Sequence, residues 1–161
     1  MIVIVMGVVG SGKTTVGRLL AAQLGWEFAD ADDFHPAPNV EKIHSGIPLN
    51  DADREPWLKA LRTAILSWIA SHRNTVLACS ALKASYRREL AISVGVRFVY
   101  LKGTPALVAE RLHARRGHFA DERILASQFA DLEEPQDAVM VDIAGSPQQI
   151  VREVRQALDL G

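Results

Sequence analysis

The sequence predicts an α/β domain in three layers, α/β/α, with a five-stranded parallel sheet and helices on both faces. Five short apolar runs are each followed by a helical pattern, and strands that are apolar throughout are typical of parallel sheets buried on both sides. A length of 161 residues with 48% hydrophobic content suits one domain with its own core. We therefore expect residues 1–161 to form a single domain.

The elements alternate along the chain without an internal repeat, a linker or a low-complexity segment. The predicted strands cover residues 2–6, 26–29, 75–79, 96–101 and 139–143. The predicted helices cover residues 13–24, 40–44, about 54–71 with Asp53 as the cap, 84–90, 104–116, 120–132 and a terminal helix that opens at 145–147. Residues 34–57 are rich in Pro, Asn, Asp and Gly, and so long an insert in a small domain indicates a functional loop.

Charge and cysteine content narrow the class of protein. A formal net charge of −1 gives no overall field that would attract nucleic acid or an anionic membrane. The N-terminal apolar run is too short to span a bilayer. The single cysteine, Cys79, excludes an internal disulfide framework, and its place at the end of an apolar run predicts a buried side chain. We expect a soluble, cytoplasmic protein with no nucleic-acid or membrane partner.

A phosphate-binding motif follows the first strand. Residues 7–14 read GVVGSGKT, which fits G-x-x-x-x-G-K-[ST], with a strand before the motif and a helix after it. Glycines let the backbone turn with its N–H groups inward, and the helix N-terminus adds its dipole. Lys13 would reach the β- and γ-phosphates, and the Thr14 hydroxyl would ligate Mg²⁺. The motif predicts a nucleoside triphosphate and Mg²⁺, bound by Gly7, Val8, Val9, Gly10, Ser11, Gly12, Lys13, Thr14 and Thr15.

Two sequence features distinguish other phosphate-loop proteins from kinases. Guanine-nucleotide switches carry an N-K-x-D motif, and motor ATPases carry an acidic residue at the end of a central apolar strand. No N-K-x-D motif is present, and the strand at 75–79 ends in Ser80 rather than in an acid. The second strand instead leads into Asp30 and Asp32, and alternate residues of an extended segment face the same way. One carboxylate could help hold Mg²⁺, for which we choose Asp30, and the other could orient the attacking hydroxyl, for which we choose Asp32. The alternative is that both only end the strand and cap a turn.

Basic residues precede a glycine between two predicted helices. Arg111 and Arg115 lie one turn apart on one helix face, and Gly117-His118-Phe119 interrupts the helical pattern. Because the planar arginine fork matches phosphoryl oxygens, residues 115–122 are predicted to form a lid over the phosphates. We expect Arg111 and Arg115 to bind the nucleotide and choose Arg115 as catalytic, while either arginine could meet the transferring phosphoryl group. A solvated basic helix face is the alternative.

Longer segments of the sequence resemble the gluconokinase family. They run in order over nearly the whole chain and include DADDFHP at 30–36, GIPLNDADREPWL at 46–58, CSALK at 79–83, RRGHF at 115–119, SQF at 127–129 and LEEP at 132–135. The resemblance implies a nucleoside-monophosphate-kinase-like P-loop fold with a closing lid, and transfer of the γ-phosphoryl group of ATP to the 6-hydroxyl of D-gluconate. It also implies a homodimer. The sequence departs from the family pattern at Val9, where a small polar residue is common.

The chemistry of D-gluconate, the substrate that the resemblance implies, indicates which side chains could bind it. Gluconate is a linear polyol with one carboxylate, so its site needs a cation and several hydrogen-bonding groups. Arg54, Lys83 and Arg87 could meet the carboxylate, the last two because a spacing of four could place them on one cleft-facing side. The full set of candidate acceptor-binding residues is Asp32, His35, Arg54, Ser80, Lys83, Arg87 and His118. For each side chain, simple exposure to solvent is the alternative.

Two other functions remain open at this point. One is another small-molecule kinase of the same fold, such as a shikimate or nucleoside kinase, against which the long 34–57 insert argues. The other is a nucleotide-binding regulator without turnover, which would need no carboxylate at an acceptor hydroxyl. The combination of Asp32 with the arginines of the predicted lid favours an enzyme over such a regulator.

Overall fold

The computed structural model describes residues 1–116 and 119–161, with side chains described for 1–114 and 122–161. These residues form one five-stranded parallel sheet with helices on both faces, which confirms the predicted fold class. The strands are β1 (Ile2–Met6), β2 (Glu27–Asp30), β3 (Thr75–Ala78), β4 (Val96–Lys102) and β5 (Val139–Asp142). The helices are α1 (Lys13–Leu24), α2 (Ala37–His44), α3 (Asp51–Ala70), α4 (Ala84–Leu90), α5 (Pro105–Arg116), α6 (Phe119–Asp131) and α7 (Pro147–Ala157), and a 3₁₀ turn covers Ala31–Phe34.

The strand order β2-β3-β1-β4-β5 creates a crevice at one edge of the sheet. Every neighbouring pair is parallel, and β1 lies at the centre with all its residues buried. The chain leaves β1 toward β2 on one side and leaves the adjacent β3 toward β4 on the other. The loops after β1 and β3 therefore diverge at the carboxyl edge, where α/β proteins bind ligands. A hydrogen bond of 3.3 Å from the Gly7 N–H to the Ser80 carbonyl oxygen joins the two loops.

Two separate hydrophobic cores lie on the two faces of the sheet. Side chains alternate along β1, so that Val3 and Val5 pack into one core while Ile2, Ile4 and Met6 pack into the other. The first core lies beneath α1, α5, α6 and α7, and the second lies beneath α3 and α4. The predicted three layers follow from this alternation, because a strand apolar on both faces needs helices on both.

The 34–57 insert is more regular than the sequence predicts. It contains α2 and the first turns of α3, with an irregular connection at residues 45–50. Asn50, rather than Asp53, is the N-cap of α3. The Asn50 side chain accepts a hydrogen bond from the Asp53 N–H at 2.8 Å, and the Asp53 carboxylate accepts one from the Asn50 N–H at 3.0 Å. This reciprocal capping box starts the helix earlier than expected, so that most of the insert is helical.

Two expectations about the class of protein can be compared with the structure. Cys79 is buried, as expected, and its burial raises the pKa of the thiol to about 12, so this cysteine is a core residue rather than a reactive thiol. Within the described ranges, none of the helices is both long enough and apolar enough to cross a membrane.

Gly103, just after β4, tests how tightly the edge of the first core is packed. A Cβ at this position would lie 2.5 Å from Ile143 Cδ1 and 2.8 Å from Ile143 Cγ1, and Ile143 is fully buried. We expect Gly103→Ala to lower the free energy of unfolding by about 1–3 kcal/mol, because the buried isoleucine must move. Urea unfolding of Gly95→Ala is the control, since a Cβ at Gly95 meets only Ser93 Oγ at 3.5 Å. Equal stability of the two variants would contradict this packing.

Candidate active site

One cavity lies in the crevice and collects most of the sequence-predicted site residues. It is bounded by the phosphate-binding loop, the end of β2, the α2–α3 segment, the loop after β3 and the α6 helix. The predicted residues that line it are Gly10, Gly12, Lys13, Thr14, Thr15, Asp30, Asp32, His35, Arg54 and Ser80, together with Val9. The fold therefore brings the predicted phosphate site and part of the predicted acceptor site into one space.

The phosphate-binding loop has the backbone that its glycines predict. Gly10 and Gly12 have φ values of 81° and 94°, in the left-handed region that side chains rarely adopt. A Cβ on Gly12 would meet no atom within 4 Å, so Gly12 is required here for its conformation rather than for space. Gly12 is also the N-cap of α1, which points the first N–H groups of that helix at the cavity. Lys13 Nζ donates to the Val8 carbonyl oxygen at 3.0 Å.

A side chain of α6 meets the loop, which the sequence did not predict. The Val9 N–H donates to Gln128 Oε1 at 2.6 Å, and Gln128 lines the same cavity. Because Val9 takes part through its backbone, the identity of its side chain does not decide this contact. The two residues are 119 positions apart, and no local pattern in the sequence signals such a pair. Gln128 belongs to the Ser127-Gln128-Phe129 segment of the family resemblance, which was its only signal.

Thr14 and Asp30 lie side by side. Thr14 Oγ donates to Asp30 Oδ2 at 2.9 Å, and Asp30 Oδ1 accepts the Asp32 N–H at 3.0 Å. Asp30 therefore does cap a turn, and its other oxygen meets the loop threonine. A hydroxyl beside a carboxylate is a donor set that suits Mg²⁺, which usually takes one or two protein oxygens and completes its shell with phosphates and water. Among the described residues no group of three or more His, Cys, Asp or Glu could hold a metal ion by itself.

Asp32 lines the cavity, but its backbone conformation differs from the extended one that we expected. The alternation of side chains along an extended strand predicts that Asp30 and Asp32 lie on one face. The strand ends at Asp30, and the chain tightens into the 3₁₀ turn Ala31–Phe34, so the alternation rule does not apply to Asp32. Asp32 nevertheless lines the cavity together with Asp30. The prediction of a shared cavity is confirmed, and the geometric reason given for it is wrong.

His35 is held tightly at the cavity wall. Its ring stacks on the buried Trp57 with a centroid separation of 4.7 Å and an interplanar angle of 8°. Trp57 is a core residue, as expected, and its Nε1–H donates to the Ala31 carbonyl oxygen at 2.8 Å. Burial, and next the positive charge of Arg54, lower the pKa of His35 from 6.5 to about 4. The ring is therefore neutral at physiological pH.

Arg54 brings a buried positive charge to the same cavity. The residue is 8% exposed, and its guanidinium donates to Asp131 Oδ2 at 2.9 Å and to the Tyr86 hydroxyl at 3.1 Å. Burial disfavours the charge, but the hydrogen bonds to Tyr86 and Asp131 outweigh it and raise the pKa of Arg54. Neither partner was predicted, because both lie far away in sequence. The guanidinium has five N–H donors, so these two contacts leave donors for a ligand.

The structure does not bring Lys83 and Arg87 to this cavity. Lys83 pairs with the Asp51 carboxylate at 2.8 Å. Arg87 donates to the carbonyl oxygens of Ala81, Leu82 and Glu133 and lines a different cavity. Lys83 is the N-cap of α4, with extended backbone (φ −93°, ψ 142°), so the spacing of four does not place it on one helical face with Arg87.

The predicted lid is mostly beyond the described side chains. Arg111 lies on α5 and is not among the residues that line the cavity. The Arg115 side chain and His118 lie outside the described part of the chain. The assignments of Arg111, Arg115 and His118 therefore stay predictions from the sequence.

Comparison with known proteins shows that the chain is similar to small-molecule kinases. A family model described as shikimate kinase matches residues 9–159. A thermosensitive gluconokinase from Escherichia coli K12 is 42% identical over 160 residues, covering 96% of this chain and 86% of that protein. A gluconokinase from Gluconobacter oxydans 621H is 45% identical over 135 residues, covering 83% of this chain and 76% of that protein. The chain belongs to the gluconokinase family, and the shikimate kinase family model also matches most of it.

A solved structure extends this similarity to three dimensions. The crystal structure of a gluconokinase from Sinorhizobium meliloti 1021 is 42% identical to this chain, with a TM-score of 0.85. The match covers 98% of this chain and 94% of that one. The chain is thus a kinase of the P-loop α/β/α fold, as the resemblance implied.

The low pKa of His35 predicts a pH dependence of stability. Between pH 6.5 and about 4 the unfolded chain binds a proton at His35 that the folded chain does not bind. The contribution of this group is therefore full above pH 6.5 and is lost as the pH falls toward 4. In urea titrations at pH 7 and pH 5, we expect His35→Gln to lose less stability on acidification than the wild type. Equal losses in the two proteins would contradict the burial of a neutral ring.

Proposed function

We propose that the protein catalyses the ATP-dependent phosphorylation of D-gluconate at its 6-hydroxyl, giving 6-phospho-D-gluconate and ADP in gluconate catabolism. The observation that carries this proposal is a buried arginine, Arg54, in the same cavity as a phosphate-binding loop and the carboxylate of Asp32. Such a cavity offers separate partners for a triphosphate, an acceptor hydroxyl and an acceptor carboxylate. The gluconokinase relatives support the choice of acceptor.

The donor half of the site is the phosphate-binding loop with the N-terminus of α1. The left-handed glycines turn backbone N–H groups inward, and Lys13 would add a positive charge beside the β- and γ-phosphates of ATP. Thr14 and Asp30 would hold Mg²⁺, directly or through water. When bound, Mg²⁺ neutralises charge on the phosphate oxygens. The Val9 N–H already donates to Gln128 Oε1 at 2.6 Å, so a phosphate oxygen would compete with Gln128 for this donor.

The acceptor half uses a cation and neutral polar groups. Arg54 would bind the gluconate carboxylate, since its fork matches a carboxylate and it already lies in a low-dielectric setting. His35 and Ser80 would contact hydroxyl groups along the polyol. Asp32 would accept a hydrogen bond from the 6-hydroxyl and take its proton as the oxygen attacks the γ-phosphorus. Lys83 and Arg87 have no part in this arrangement.

The remaining predicted features stay part of the proposal. Arg111 and Arg115 would stabilise charge on the transferring phosphoryl group, and His118 would contact the acceptor from the lid at residues 115–122. A homodimer and a cytoplasmic location are implied by family resemblance and by composition, respectively. Light scattering of the purified protein would test the dimer.

Turnover with a panel of acceptors tests the proposed function. In an assay coupled to ADP release, we expect D-gluconate to stimulate turnover strongly, and shikimate and nucleosides to give none. Asp32→Asn should lower kcat with gluconate about 10²–10⁴-fold, because the proton acceptor is lost. Asp33→Asn is the matched control, since the adjacent Asp33 does not line the cavity, and it should retain kcat.

Two results of this assay would count against the proposal. Stimulation by shikimate or a nucleoside without stimulation by gluconate would reassign the acceptor and favour another kinase of this fold. Binding of ATP with no turnover on any acceptor would favour a nucleotide-binding regulator. Full activity of Asp32→Asn would leave the enzyme class intact but remove the role given to Asp32.

Arg54 and Lys83 offer a direct comparison of two candidate carboxylate partners. We expect Arg54→Gln to raise KM for gluconate about 10–100-fold, because a charge-assisted hydrogen bond is lost. Lys83→Gln should leave KM within about threefold of the wild type, since Lys83 pairs with Asp51 outside the cavity. Because Arg54→Gln leaves Asp131 without its cation, the double variant Arg54→Gln/Asp131→Asn keeps the test valid if the single variant is unstable. A large rise in KM for Lys83→Gln alone would contradict the assignment.

A further inference from the structure

Asn39 does not line the cavity, but its side chain contacts His35, which does. It lies on α2 and is 4% exposed, one of few polar side chains buried in the described part of the chain. Its Nδ2 lies 2.7 Å from the Asp53 carbonyl oxygen and 3.2 Å from His35 Nδ1. A carbonyl oxygen can only accept, so the atom near both partners is the amide nitrogen with its two hydrogens.

These contacts determine which nitrogen of His35 carries the proton. An amide N–H that points at Nδ1 needs a lone pair there, so a neutral ring must have its hydrogen on Nε2. The two ring nitrogens point away from each other, and His35 lines the cavity. A ring with Nδ1 held at Asn39 therefore turns its Nε2–H edge away from α2.

The rest of the surroundings keeps the ring in this position. The stack on Trp57 fixes the ring plane, and the bond from Trp57 Nε1 to the Ala31 carbonyl oxygen fixes the indole. Asp53 is itself held, because its carboxylate belongs to the capping box and pairs with Lys42 at 3.0 Å. The charged side chains that share the cavity with His35 are Lys13, Asp30, Asp32 and Arg54. Burial, and next the positive charge of Arg54, lower the pKa of His35, so the ring stays neutral.

We propose that Asn39 is a positioning residue that holds His35 as a fixed Nε2–H donor toward a lone pair on the phosphoryl acceptor. In this role His35 is a specificity-determining residue rather than a general base. It favours an acceptor that presents a hydroxyl or carboxylate oxygen and disfavours one that presents a methyl or methylene group. This inference rests on the proposed function only for the identity of the acceptor, since the tautomer follows from Asn39 alone.

The variant Asn39→Asp reverses the hydrogen bond. A carboxylate can only accept, so it would draw the proton to His35 Nδ1 and leave a lone pair on Nε2 facing the acceptor. At neutral pH we expect KM for gluconate to rise about tenfold, because a donor has become an acceptor. The carboxylate also favours the doubly protonated ring, so lowering the pH should restore the Nε2–H donor and lower KM again. A purely structural role for Asn39 would give no such recovery.

Two-bond ¹H–¹⁵N spectra of ¹⁵N-histidine-labelled protein measure the tautomer directly. We expect His35 of the wild type to be in the Nε2–H form at pH 7, and Asn39→Asp to shift it to the Nδ1–H or doubly protonated form. The double variant Asn39→Asp/His35→Gln is the control for kinetics, because glutamine presents an N–H near the Nε2 position and does not titrate. Its KM should not depend on pH in the way that KM of Asn39→Asp does. If Asn39→Asp does not fold, Asn39→Ala should give a mixed tautomer and a higher KM.

Each outcome decides between distinct claims. A wild-type ring in the Nδ1–H form would overturn the proposal, whether or not gluconate is phosphorylated. A shifted tautomer in Asn39→Asp with unchanged KM at every pH would overturn the role given to His35. An Nε2–H ring in a protein that does not phosphorylate gluconate would instead overturn the proposed function and leave the tautomer assignment standing.

Discussion

The whole site depends on one constraint, the parallel arrangement of β1 and β3 with connections that leave in opposite directions. Parallel strands end at the same edge, so the phosphate-binding loop after β1, the turn after β2 and the loop after β3 all reach one crevice. The hydrogen bond between the Gly7 N–H and the Ser80 carbonyl oxygen joins the loops after β1 and β3. An antiparallel neighbour at β1 would send one of these loops to the opposite edge and separate the two substrate sites.

Helix α3 carries the acceptor side of the cavity, and side-chain hydrogen bonds define where this helix starts. The capping box between Asn50 and Asp53 fixes the first turn, and Arg54 follows directly. Trp57, one turn later, supports both the 3₁₀ turn through Ala31 and the ring of His35. Helix α3 therefore positions Arg54 directly, and it positions the neutral ring of His35 through Trp57. This explains how a segment rich in turn-forming residues can hold an acceptor with defined geometry.

The sequence predicted local features well and distant pairings poorly. The glycine pattern with Lys13 and Thr14 predicted the loop, because the motif is defined by local backbone geometry. The apolar runs predicted all five strands. Burial on both faces explains the continuous apolar signal of β1 and β3, whereas β2 and β5 lie at the edges of the sheet and are more exposed. The partners of Arg54 and of the Val9 N–H could not be predicted, because Asp131, Tyr86 and Gln128 are joined to them only by the tertiary fold. The spacing of four between Lys83 and Arg87 did not predict their arrangement, because Lys83 precedes the helix and the two residues do not share a helical face.

A structure of the protein with D-gluconate and a non-hydrolysable ATP analogue tests the central claim most directly. We expect the gluconate carboxylate to lie at the Arg54 guanidinium and the 6-hydroxyl at Asp32, facing the γ-phosphorus position of the analogue. We also expect a hydrogen bond from His35 Nε2 to an oxygen of the polyol. A carboxylate bound at Lys83 or Arg87, or a 6-hydroxyl turned away from the phosphate-binding loop, would contradict this claim.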